Sequence, residues 1–354
     1  MMCCVECFKD TQIRQAIIKN GAIGDCDFCS HKNVAVFDTS IPNSDIFNAI
    51  VRLVEIYSVS DMQGAKPLKV ALRDDWDIFN VGAAKIQALV TDFCGSIMNI
   101  SSDKFTKKVI IERLLDDAFL EKFGVVRGRS WKQFTESIKY ESRFYSKLVN
   151  TDMLGLFFSS LVKFYRFDES NAFFRARISH NSRGYNPDNM GVPPKVKRSS
   201  GRVNPEGIGV LYLSSDEDTA LSEVRANTSD FVSIGTFKLV KDIRIVNLSA
   251  LSEASPFDIL YDNVQDLEIY ALNRRVLQDI AIDIAKPQRR SDSPLEYLPT
   301  QYIAELIKRS EYDGVEYKST LHKGGYNIAV FTENAFECVS VKTCEITSTT
   351  YDKR

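Results

Sequence analysis

The sequence predicts an α+β protein in three parts, and three observations carry that prediction. Cysteines crowd the first 29 residues, apolar residues then recur at three-and-four spacing as far as about Phe167, and short β-rich runs joined by polar loops follow. The divisions fall at 1–40, 41–166 and 167–354. At 354 residues the chain has room for two or three compact cores. Hydrophobic residues at 44% and charged residues at 26% describe an ordinary folded protein. A formal net charge of −2 gives no global basic field for nucleic acid or anionic lipid, so an anion site has to be local. No run approaches the roughly 18 uninterrupted apolar residues of a membrane span, and no basic-then-apolar leader opens the chain. A cytoplasmic protein without membrane partners is expected, with nucleic acid disfavoured.

The first part is defined by Cys4-Val5-Glu6-Cys7 and Cys26-Asp27-Phe28-Cys29, two C-x-x-C pairs. Each tight turn brings two sulfurs to one side of the backbone, and two such turns close a tetrahedron of thiolates around zinc. Four protein ligands leave no position for water, so the metal is structural. Cys3 and His31 flank the pairs and are alternatives for one ligand. Between the pairs, Lys9 to Asn20 reads as a helix, with Ile13, Ile17 and Ile18 at helical spacing and Asn20-Gly21 as its stop. A module this small builds little core alone, so zinc would supply most of its folding energy.

In the second part, Ile46, Phe47, Ile50, Leu53, Val54 and Tyr57 form one buried stripe, with Asn43 or Ser44 as its cap. The period returns through Ala83 to Phe93, through Trp131, Phe134, Ile138, Phe144 and Leu148, and through Met153 to Phe164. Lys104 to Phe123 fits a helix or a strand-helix element. Stripes of this kind predict a helical bundle. The bundle region contains no histidine, so it reads as a scaffold or recognition surface and not as a nuclease centre.

The third part has strand candidates at Phe173 to Ile178, Val210 to Leu213, Val232 to Leu239, Ile243 to Asn247, Gly314 to Tyr317 and Ile328 to Phe331. Helices are expected at Asp216 to Arg225, Gln265 to Ala285 and Leu298 to Lys308, the first opened by Ser215 and Asp218 in a capping-box pattern. Two arginine-bearing stretches, Phe174-Arg175-Ala176-Arg177 and Gly201-Arg202-Val203-Asn204-Pro205, precede a helix that carries Glu223. Planar guanidinium groups suit paired pyrophosphate oxygens, and a single carboxylate suits a sugar cation. Together they point to chemistry at the N-glycosidic bond of a nucleotide.

The same stretches, with Leu211-Tyr212-Leu213, Leu221-Ser222-Glu223-Val224-Arg225, Pro299-Thr300-Gln301, Asp313-Gly314-Val315, Tyr317-Lys318-Ser319 and Gly324-Gly325-Tyr326-Asn327, resemble a RES domain in order and spacing. The cysteine module and helical segment resemble the HEPN-like extension of a subset of such proteins. The resemblance implies an ADP-ribosyltransferase-like fold and attack on NAD+, and many of the family are toxins paired with an antitoxin. It maps the family's arginine, glutamate and serine onto Arg175, Glu223 and Ser319, with Arg177 the alternative arginine. Arg177, Arg202, Tyr212, His322 and Asn327 are then expected to contact the dinucleotide. Tyr212 either stacks on nicotinamide or packs in a core strand. Val203 stands where many members carry an aromatic residue, and the loop from Ser179 to Ser200 is long. The expected activity is NAD+ glycohydrolysis or phosphorolysis; the alternatives are ADP-ribosyl transfer to a protein and a module that binds NAD+ or RNA without turnover.

Overall fold

The computed structural model describes residues 1–41, 45–94, 100–127, 130–144, 146–167, 171–250, 255–256, 264–287, 293–332 and 334–349. The chain resolves into two compact units, Met1–Gly124 with Ala254–Arg275, and Val125–Glu253 with Val276–Arg354. Among the described residues, no helix is long and apolar enough to cross a membrane.

The first unit opens with strands β1 (Met2–Cys4), β2 (Ala22–Gly24) and β3 (Val34–Asp38), which form an antiparallel sheet in the order β1-β3-β2. The helix between β1 and β2 runs Thr11–Asn20, and the Asp10 carboxylate caps it by accepting from the amides of Gln12 and Ile13 at 3.0 Å each. Ile13 and Ile17 are buried as their spacing predicts, whereas Ile18 is exposed, one step beyond the stripe. The next stripe forms a helix over Asp45–Glu55; its predicted caps, Asn43 and Ser44, lie outside the described residues. Helices Leu68–Trp76 and Ala83–Cys94 follow.

The expected all-helical middle is interrupted. Strands β4 (Ser58–Val59), β5 (Lys66–Pro67) and β6 (Lys108–Ile110) form a second small sheet in the order β4-β6-β5. Strands of two or three residues are too short to show a period of two, which is why helical spacing dominates the sequence there. Lys104 to Phe123 resolves into a helical turn at Asp103–Thr106, β6, and a helix at Asp117–Phe123.

The second unit contributes helices Trp131–Tyr140 and Thr151–Ser160 before its sheet. Trp131, Phe134 and Ile138 are buried on one face, but Phe144 lies beyond the helix and is 84% exposed. The stripe from Met153 to Phe164 divides: the helix stops at Ser160, and Val162–Tyr165 becomes strand β7. Seven more strands are β8 (Ala172–Ser179), β9 (Leu211–Ser214), β10 (Phe231–Leu239), β11 (Ile243–Asn247), β12 (Gly314–Lys318), β13 (Tyr326–Val330) and β14 (Phe336–Glu345). They form one sheet in the order β14-β10-β8-β9-β13-β12-β11-β7, in which only β11 and β12 pair in parallel. Phe173, Leu211, Phe237, Ile245 and Val330 anchor its principal core.

The expected helices are found at Glu217–Val224, Val264–Ala285 and Leu298–Arg309. The first is capped not by Ser215 but by Asp216, whose carboxylate accepts from the Thr219 amide at 2.7 Å. An aspartate one residue inside the expected start does the same work as the serine.

Candidate functional site

The sheet of the second unit has a fault in it. β8 and β9 share a single register pair, Phe174 with Ser214, although each strand continues. Beyond that pair the strands part, and a cavity of about 620 Å³ occupies the opening. Residues from both faces of β8, Phe174 and Ala176 on one and Arg175 on the other, therefore line it, together with Tyr212, Leu213 and Ser214 of β9. The register continues from Ser214 to Asn327 of β13 and on to Tyr317 of β12. A row across four strands, Phe174, Ser214, Asn327 and Tyr317, thus forms one wall, and Gly201, Arg202, Glu223 and Arg225 complete the surround.

Glu223 projects from the helix that packs against β8, where Ala220 joins Ala176, Val232 and Ile234 in a small core. Its Oε1 accepts from the Ser319 hydroxyl at 3.0 Å and from Asn327 Nδ2 at 2.8 Å. Its Oε2 lies 3.7 Å from Arg202 Nη2. Arg225, just past the end of the helix, turns into the left-handed region at φ 51° and lines the cavity.

Arg202 is delivered by a tight loop. Gly201 donates to the Asn204 carbonyl at 2.8 Å, and Gln301 Nε2 donates to the Gly201 and Asn204 carbonyls at 2.7 and 2.9 Å. A Cβ on Gly201 would lie 2.6 Å from both the Tyr212 hydroxyl and Asn204 Oδ1, so only glycine fits. The Arg202 guanidinium donates to the Ile284 carbonyl at 3.2 Å, at the C-terminal end of the long helix, where a cation is favoured. It also lies 5.7 Å from the centre of the Tyr317 ring. Burial pushes the Tyr317 phenol up to about 12.

Arg175 has few partners of its own. One Nη donates to the Gly191 carbonyl at 2.9 Å, and among the described residues no carboxylate pairs with it. Burial, reinforced by the like charge of Arg177, pushes its guanidinium down to about 10. Arg177 stands two residues along the same strand, yet it does not line the cavity. It donates to the Asn189 carbonyl and rests 4.5 Å over the Tyr185 ring. The structure thus places Arg175, and not its alternative Arg177, in the lining of the cavity.

Tyr212 is half-buried, donates its hydroxyl to Asn204 Oδ1 at 2.6 Å and presents part of its surface to the cavity. Ser319 stands behind Glu223, its oxygen accepting from the amides of Leu321 and His322 at 3.3 and 3.2 Å. The His322 ring is directed away from Ser319: Nδ1 meets the Thr219 hydroxyl at 2.9 Å and Asp216 at 3.7 Å, tying its loop to the start of the Glu223 helix. Ser214 and Tyr317 were not singled out as site residues by the sequence. Tyr317 stood in a stretch that carries the family resemblance but was given no role, and the signal for Ser214 is cross-strand register, which needs the topology.

A second cluster lies in the first unit. The sulfurs of Cys4, Cys7, Cys26 and Cys29 all fall within 4.8 Å of one another, with neighbouring pairs at 3.3, 3.6 and 3.8 Å. A disulfide needs about 2.05 Å, whereas four thiolates about 2.3 Å from a central ion sit about 3.8 Å apart. The cluster is therefore of a size to hold a metal ion. Burial and the neighbouring thiols push Cys4 well up, the hydrogen bond with Cys3 and burial do the same for Cys7, and backbone amides outweigh burial to bring Cys26 down to about 7. Bunched thiols resist ionising together, and a cation at their centre removes that resistance. Cys3 is buried outside the set, and His31 Nδ1 touches Cys29 Sγ at 3.3 Å.

Residues 172–352 match the RES domain family, and the chain belongs to that family. A comparison with curated proteins gives no match. Among solved structures, a weak likeness connects the chain to one titled as the crystal structure of the M. tuberculosis MbcT-MbcA toxin-antitoxin complex. It has 13% identity, a TM-score of 0.33, and coverage of 54% of this chain and 92% of that one.

Proposed function

We propose that the cavity of the RES domain binds NAD+ and breaks its nicotinamide N-glycosidic bond, in the manner of an NAD+-degrading toxin of ADP-ribosyltransferase-like fold. The observation that carries this reading is the pairing of one held carboxylate, Glu223, with two half-buried arginines, Arg175 and Arg202, around a single cavity. Two guanidinium groups match the two charges of a pyrophosphate. The C1′–N bond breaks with its electron pair going to nicotinamide, which leaves neutral, and positive charge appears on the ribose; water or phosphate then adds at C1′. No acid is needed for the leaving group. The protein's task is to hold the dinucleotide and stabilise the cation. A carboxylate about 4 Å from that charge, at an effective dielectric near 20, contributes about 4 kcal/mol, or about a thousandfold in rate.

Ser319, in this account, serves the reaction by holding Glu223 and is not a nucleophile, because the His322 ring is engaged elsewhere. Tyr212 and Tyr317 offer faces for the nicotinamide or its ribose. The four-cysteine cluster is assigned to structural zinc, for which four thiolates at this spacing are a full coordination set. An enzyme that drains NAD+ endangers its host, so a restraining partner protein, an antitoxin, belongs to the reading.

The test compares wild type with Glu223→Gln. NAD+ binding by calorimetry is expected to survive the substitution while turnover falls about a thousandfold; unchanged turnover in a folded variant removes Glu223 from the mechanism.

A further inference from the structure

The wall of the cavity contains a hydrogen-bonded chain that leads to Glu223 from the point where β8 and β9 part. Ser214 is the last residue of β9 and the one that still pairs with β8. Its side chain is 5% exposed, and its hydroxyl donates to Asn327 Oδ1 at 2.7 Å. Asn327, 3% exposed, directs Nδ2 to Glu223 Oε1 at 2.8 Å. We propose that Ser214 is a positioning residue for Glu223, acting through the side-chain amide of Asn327. The proposal rests on the reading of Glu223 as the carboxylate of the NAD+ site.

An asparagine amide has an acceptor end and a donor end, and its neighbours decide which way it faces. Here Ser214 satisfies the acceptor end, so the donor end is committed to Glu223. Ser319 supplies a second donor to the same oxygen, since its own oxygen is occupied by the Leu321 and His322 amides. Both donors converge on Oε1, which leaves Oε2 to Arg202 and to the cavity. The carboxylate is thus held by one edge and presents the other. Removal of the Ser214 hydroxyl would leave Asn327 Oδ1 buried without its donor, a costly state. The amide would be drawn to turn that oxygen elsewhere, and Nδ2 would withdraw from Glu223. Asn327, which the sequence groups with the residues that contact the dinucleotide, is in this account spent on the carboxylate.

Two readouts separate this proposal from the reading on which it rests. The first needs no substrate: the Asn327 side-chain NH2 pair in 15N-labelled protein, assigned by its disappearance in Asn327→Asp. One of its protons is expected to be shifted downfield and slow to exchange. That signature is expected to be lost in Glu223→Ala and in Ser214→Ala and kept in Ser214→Thr, which retains the hydroxyl. The second is steady-state nicotinamide release, in which Ser214→Ala is expected to lower kcat by about 10-fold to 100-fold with little change in KM, as one hydrogen bond to a charged group would. Ser214→Thr restores kcat. A wild-type NH2 signature in Ser214→Ala overturns the proposal whatever the enzyme does with NAD+. A lost signature in a wild-type background that never releases nicotinamide instead sinks the NAD+ reading and leaves the Ser214 link standing. Should Ser214→Ala not fold, Asn327→Asp places a second carboxylate against Oε1, and undiminished kcat in that variant overturns the proposal equally.

Discussion

Arg175 and Arg177 show what two residues of separation on one strand can decide. Alternation puts both on one face of β8, so spacing alone does not choose between them. In the fold, Arg177 spends its guanidinium on the Asn189 carbonyl and the Tyr185 ring, while Arg175 reaches the opening between β8 and β9 with a single carbonyl partner. Arg175→Gln is therefore expected to raise the KM for NAD+ by about tenfold or more while leaving kcat nearly intact, and Arg177→Gln to change KM far less. Steady-state kinetics on the two variants decides between them. Burial of the Arg175 charge beside Arg177 opposes folding, and a bound anion would relieve that cost.

The helix Glu217–Val224 is the element on which the site depends, and its start is where the chain can be tested mechanically. Asp216 caps it, Thr219 contacts His322, and the loop that holds Ser319 is thereby joined to the helix that holds Glu223. Asp216→Ala is expected to cost about 1 kcal/mol, the usual worth of an N-cap, and thermal unfolding measures it. Burial acts to raise the Asp216 carboxyl, but hydrogen bonds from Ser215 and Thr219 outweigh it and hold it below the usual range. Its contribution is thus present at neutral pH and lost as pH falls through that lowered value, a loss absent from Asp216→Ala. Gly325 is close-packed on Thr219, so Gly325→Ala forces the same junction apart and should lower both Tm and kcat. This helix was legible in the sequence to within two residues, because it carries both a capping residue and a helical stripe. β7 and β14, at the two edges of the sheet, were not. β7 continues the apolar spacing of the helix before it, and β14, with Glu337, Lys342 and Glu345 among its residues, has too mixed a pattern to announce a strand.

At the scale of the whole molecule, the cysteine cluster and the cavity of the RES domain belong to different compact units. Spacing alone located the four thiols, because two C-x-x-C turns constrain their sulfurs wherever the rest of the chain goes. The cavity was legible only as a set of residues. Arg202, Tyr212 and Glu223 were named in advance, whereas Ser214 was hidden because it joins the site through cross-strand register. Chelation with a strong zinc ligand is expected to remove a thermal transition belonging to the first unit, since a site of this kind supplies about 10 kcal/mol or more of folding energy. Cys26→Ser should do the same without chelator, and calorimetry with and without added zinc is the measurement. The claim on which the whole account turns is that the second unit cleaves NAD+. The direct measurement is release of nicotinamide from NAD+ by the purified protein, with and without phosphate, beside Glu223→Ala. Release that is abolished in the variant is the expected result, and its dependence on phosphate identifies the second nucleophile. Binding of NAD+ with no release under either condition, or release that survives in Glu223→Ala, would contradict the account.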